Sequence, residues 1–116
     1  MALSQARFIA EGLVVDAARM RRNLDATGGM IVSEAVMMGL APLLGRGEAH
    51  HAVNDACDLA LAQGISLTEA LLRDPRVAAV MDAGAIAALT DPAGYLGSAG
   101  AFTDRVLARA RSMGLS

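Results

Sequence analysis

At 116 residues the chain has the length of one ordinary domain, and a formal net charge of −2 with no basic run longer than Arg21-Arg22 excludes a nucleic-acid surface. Hydrophobic residues make up 54% and aromatics only 3%, with Trp absent, so the apolar content is Ala, Leu, Val and Met, which build helices rather than sandwiches. The longest apolar run, Ala35 to Gly45, is about half of what a membrane span requires, and the N-terminus lacks the pattern of a secretory signal, so a cytoplasmic protein is expected.

In chain order, caps and stripes predict an all-α fold, a small bundle of about six helices in a single domain over residues 1–116. Phe8, Ile9, Gly12 and Leu13 form one helical stripe that stops around Val15, and Asp16 is placed to cap a turn through "AARMRRNL". Gly28 and Gly29 break the chain. Met30 to Leu44 is apolar on nearly every face and reads as the buried central helix, with Gly45 closing it and opening the next.

The segment "GRGEAHHAVNDACDLALAQG" carries a stripe of small residues at Ala49, Ala52, Val53, Ala56, Cys57 and Ala60, which permits close helix contact. Ser66 and Glu69 form a capping box. Asp74-Pro75 is a cap followed by Pro at the first helical position, Asp82 caps a further short helix, and Asp91-Pro92 stops it. From Ser98 the tail sets Phe102, Val106, Ala110 and Met113 on one face, with Arg109 and Arg111 complementing the helix dipole near its end.

Few residues suggest chemistry. His51, Asp55 and Asp58 share a helix face at i, i+4 and i+7, a set of types that suits zinc, but one helix face rarely closes a coordination sphere; a solvated polar face is the reading preferred, with no metal. Gly94 to Gly100 lacks a dinucleotide or P-loop pattern and reads as turn chemistry before a Ser98 cap. Thr27-Gly28-Gly29 likewise reads first as a helix break, though its free amides could face an anion. The lone Cys57 has no motif around it and suits a small, buried side chain. Ser33 has no His or Lys one turn away and is no nucleophile, while Glu34, on so apolar a helix, is expected to be buried and paired with an Arg.

Four phrases carry a resemblance: N-L-D-x-T-G-G at Asn23 to Gly29, S-E-A-V-M at Ser33 to Met37, G-R-x-E-A-H at Gly45 to His50, and D-P-x-x-Y-L-G at Asp91 to Gly97. From Ala6 to Ala110 the chain resembles the C-terminal domain of the fumarase/aspartase superfamily, most of all its 3-carboxy-cis,cis-muconate cycloisomerase branch. The resemblance implies an all-helical homotetramer with active sites assembled from several subunits. It implies lactonisation of a small tricarboxylate in aromatic catabolism without metal or organic cofactor. The partners it implies are the rest of the enzyme and its other subunits.

The family's catalytic serine loop, S-S-x-M-P-x-K-x-N-P, does not occur in this sequence, so no residue here is expected to be catalytic and the domain alone is expected to be inactive. Residues 1–22 would be the end of the middle-domain helix region, and Thr27, Gly28 and Ser33 would lie near the substrate. Two other readings stay open: the same domain of an adenylosuccinate lyase-like enzyme, and a stand-alone helical interaction module.

Overall fold

The structure, a computed structural model, describes residues 2–115. Eight α-helices follow one another: α1 (Ala2–Glu11), α2 (Ala17–Asp25), α3 (Ser33–Leu44), α4 (Arg46–Gln63), α5 (Leu67–Arg73), α6 (Pro75–Ala78), α7 (Ala83–Leu89) and α8 (Ala99–Ser112). Short 3-10 turns at Met30–Val32 and Pro92–Tyr95 introduce α3 and follow α7, and there is no strand among the described residues. The eight helices exceed the about six expected, and those opened by Asp74 and Asp82 are only four and seven residues long.

Most caps are made by the side chains that the sequence singles out. Asp16, Ser66, Asp74 and Asp82 accept the N–H groups of Arg19, Glu69, Arg76 and Ala85 at 2.9, 3.1, 2.8 and 2.8 Å. Ser98 stands at the N-cap of α8, but its hydroxyl makes no capping bond. Gly45 serves two helices at once, its N–H donating to Ala41 and its carbonyl accepting from Ala49.

The core lies between α3, α4, α5 and α7. Val36 and Leu40 of α3 meet the small stripe Ala49, Ala52, Val53, Ala56 and Ala60 of α4, and Leu67, Leu71, Val77 and Ile86 close it from the other side. Small residues on α4 let the two longest core helices approach closely. At the crossing of α3 and α7 the packing is built around a glycine, since a Cβ on Gly39 would stand 2.6 Å from a Leu89 methyl and force that side chain to move.

Polar ties hold the short helices in place. Arg76 reaches Asp74 and, across to α4, Asp55, both at 2.6 Å, while Glu48 approaches it at 3.9 Å. Arg73 binds Glu69 one turn back and Gln63 at the end of α4, at 2.6 and 2.7 Å.

Two expectations fail. Met30 to Leu44 is buried along one side only, and Ile31, Met38 and Leu43 are exposed, because no element among the described residues covers the opposite face. Glu34 sits on that open side, and no ion pair reaches it among the described residues. Helices α1, α2 and α8 contain no buried residue. The radius of gyration is accordingly 19.7 Å, against the roughly 13 Å of a compact domain of this length. Among the described residues no single helix is long and apolar enough to cross a membrane; α2 together with Met30–Leu44 reaches that length and composition, but bent by 74°.

Candidate functional site

An opening of about 410 Å³ forms where α2 ends. Gly28 and Gly29 adopt φ of +60° and +91°, which turns the chain sharply, and Gly28 accepts the N–H of Leu67 at 2.8 Å, fixing the start of α5 beside the turn. The cleft between these elements is walled by Arg21, Asp25, Gly28, Ser66, Thr68 and Asp91, among others. At its base the Thr68 and Thr90 hydroxyls lie 2.7 Å apart. Thr90 Oγ1 donates its single proton to the Ile86 carbonyl at 2.9 Å, so Thr68 is the donor within the pair.

Charge in this cleft is already committed. The Arg21 guanidinium contacts Asp25 at 3.1 and 3.2 Å and Asp91 at 3.9 Å, and the hydrogen bond to Asp25 raises the Arg21 pKa above its ordinary value. One cation between two carboxylates leaves the cleft negative, which opposes capture of a polycarboxylate by this chain alone. The Gly28 N–H is likewise engaged, donating to the Asp25 carbonyl at 2.9 Å, so the helix-break reading of Thr27-Gly28-Gly29 accounts for that amide.

The three residues predicted to lie near the substrate face two sides of the domain. Gly28 lines both the main cleft and a neighbouring opening of about 360 Å³, and Thr27 lines the second with Gly64, Ile65 and Ser66. Ser33 belongs to a separate depression of about 270 Å³ between α3 and α4, with Glu34, Met37, His50, Val53 and Asn54.

His50 is the residue that sequence reasoning misses. It comes to Ser33 from the next helix, and spacing along one helix carries no signal for such a meeting. His50 Nε2 lies 3.2 Å from the Asn54 amide nitrogen, which engages that ring nitrogen. Among the described residues no hydrogen bond joins His50 to Ser33, so a serine–base pair is not assembled.

The remaining candidates resolve into structural roles. Asp55 is turned to Arg76, His51 and Asp58 are exposed, and among the described residues no three His, Cys, Asp or Glu side chains gather to hold a metal. Cys57 is half-buried, and its thiol pKa is pushed up by that burial first and by neighbouring Asp58 second.

Comparison with known proteins gives a consistent setting. The family model described as adenylosuccinate lyase C-terminus matches residues 29–106. Over 111 residues the chain is 45% identical to trans-aconitate decarboxylase 1 of Mycosarcoma maydis, covering 96% of this chain and 22% of that protein. Over 113 residues it is 44% identical to 3-carboxy-cis,cis-muconate cycloisomerase of Pseudomonas aeruginosa, covering 97% and 25%. The crystal structure of 3-carboxy-cis,cis-muconate lactonizing enzyme from Pseudomonas putida superimposes with a TM-score of 0.85 at 44% identity, over 96% of this chain and 25% of that one. The chain thus spans a quarter or less of the length of these relatives.

Proposed function

The chain belongs to the family of adenylosuccinate lyase C-terminal domains, and from that premise we propose that it is the closing helical domain of a 3-carboxy-cis,cis-muconate cycloisomerase. In this reading it supports and flanks the active site, with Thr27, Gly28 and Ser33 near the substrate, and is inactive alone. Residues 1–22 end the middle-domain helix region, and the rest of the enzyme covers the bare faces of α1 and α8. The whole enzyme is a cytoplasmic homotetramer of aromatic catabolism that needs neither metal nor organic cofactor.

The observation that carries the reading is the fit to a lactonizing enzyme along nearly the whole of this chain. The chemistry agrees with a supporting role. Lactonisation forms a C–O bond from one substrate carboxylate to an alkene carbon and delivers a proton to the carbon beyond. It needs a positioned acid and a cation to hold the developing enolate-type charge. The main cleft here is negative, and Ser33 has no hydrogen-bonded base.

The similarity to trans-aconitate decarboxylase 1 favours a second reading, decarboxylation of another unsaturated tricarboxylate. An ultraviolet assay of the protein with its remaining domains separates the two. Loss of the conjugated-diene absorbance of 3-carboxy-cis,cis-muconate supports the cycloisomerase. Carbon dioxide release from trans-aconitate with the muconate untouched supports the decarboxylase, and cleavage of adenylosuccinate alone would move the chain to the purine enzymes. Turnover by residues 1–116 alone would overturn the supporting role.

A further inference from the structure

The phrases S-E-A-V-M and G-R-x-E-A-H, of which the proposed function uses only Ser33, meet on one surface. Two depressions of about 270 and 230 Å³ run along the seam of α3 and α4 and join at Met37, with Glu34 in the first and Arg46 in the second. Both charged side chains are exposed, and neither enters an ion pair or a hydrogen bond among the described residues, although seven other Asp and Glu side chains here are ion-paired. Between them the open side of α3 offers Met38, 57% exposed, with Ile31, 58% exposed, just before it.

We propose that this seam is a two-fold interface that docks the same seam of a second copy of the chain, Glu34 of each copy against Arg46 of the other. Ten residues of helix rise, from Glu34 to Leu44, set the two ends of the seam about 15 Å apart along α3, and the two charges do not pair within one copy among the described residues. An acid at one end, a base at the other and apolar side chains between them form a surface complementary to itself after a two-fold rotation, the pattern an isologous contact requires. A small anion or cation would engage one end only and leave the apolar middle wet. The seam is also distinct from the faces of α1 and α8, so this pairing goes beyond the proposed function and does not depend on it.

Sedimentation of the protein, with Glu34→Arg and Arg46→Glu singly and together, tests the pairing. Each single reversal sets like charges together at both ends and should weaken this association about tenfold or more, whereas the double reversal should restore it. Circular dichroism of the same variants should be unchanged, since both positions are exposed. In a Cys57→Ser background, Ala41→Cys, close to the midpoint of the seam, should be joined between copies by a short bis-maleimide, and each single reversal should suppress that product. Single reversals without effect, a double reversal that fails to restore association, or no cross-linked product would each overturn the proposal.

Discussion

The N–H of Leu67 donates to the carbonyl of Gly28 at 2.8 Å, so the break after α2 and the start of α5 form a single joint. Gly29, the next residue, stands at φ +91°, where an L side chain is strained even though the nearest atom to a new Cβ, on Leu67, lies 3.5 Å away. Gly29→Ala should therefore lower stability by about 1–2 kcal/mol. Gly47→Ala is the control: it lies within α4 with nothing within 4 Å of a new Cβ, and should raise stability by about 0.5–1 kcal/mol. Urea midpoints of the two variants, moving in opposite directions, check the joint.

A second expected outcome concerns the crossing of α3 and α7. A Cβ on Gly39 meets three atoms of the Leu89 side chain at 2.6, 3.0 and 3.3 Å, so Gly39→Ala adds overpacking of about 1–3 kcal/mol against roughly 1 kcal/mol gained in helix propensity. The net effect should be destabilising. Combined with Leu89→Ala, the same substitution should be neutral or favourable, because the clash is gone. A double-mutant cycle in urea measures that reversal directly.

Acid should loosen the contact of α6 with α4. The Asp74 side chain is only 10% exposed, and its pKa lies below the ordinary value, chiefly because the Arg76 guanidinium hydrogen-bonds it. A carboxylate lowered in the folded state adds stability that is complete above its unfolded pKa of about 3.9 and is lost as the pH falls through the folded value. Asp74→Asn, which keeps a capping oxygen but not the charge, should flatten the decline of stability below about pH 4. Asp74→Ala loses the cap as well, at a further cost of about 1 kcal/mol. Urea midpoints across the acid range give both.

Glu34 shows where sequence reading stops. Caps are local, and Asp16, Ser66, Asp74 and Asp82 are legible because each depends on residues two or three positions away. The buried stripe of α4 is legible from periodicity for the same reason. Burial on α3 depends on whether a second element lies over its outer side, and among the described residues none does. Contacts across helices are equally hidden: nothing in the spacing of Glu48, Asp55 and Asp74 announces that one Arg76 gathers them, or that His50 reaches the depression of Ser33. Glu34→Ala should then change the stability of the monomer by no more than about 0.5 kcal/mol, rather than by the several expected of a buried pair. A larger loss in urea titrations at low protein concentration would restore the buried reading.

Hydrogen exchange should divide the chain into a protected centre and open flanks. Helix α4 sets five buried residues, Ala49, Ala52, Val53, Ala56 and Ala60, against α3 and α5, so its central amides exchange only when the core opens. Helix α1 has ten residues and α8 fourteen, and neither buries a side chain. Isolated helices shorter than about 12–15 residues are marginal in water, and the i, i+4 pair Arg7–Glu11 adds only about 0.2–0.5 kcal/mol to α1. In residues 1–116 alone, the amides of Arg7 to Glu11 and Phe102 to Arg109 should thus exchange orders of magnitude faster than those of Ala52 to Ala60. Under the proposed function, the same flanking amides should become protected once the remaining domains are joined, because those domains would cover Phe8, Ile9, Phe102 and Val106, all exposed here. Flanks equally fast in both settings would mean that the bare faces of α1 and α8 are not where the rest of the enzyme packs.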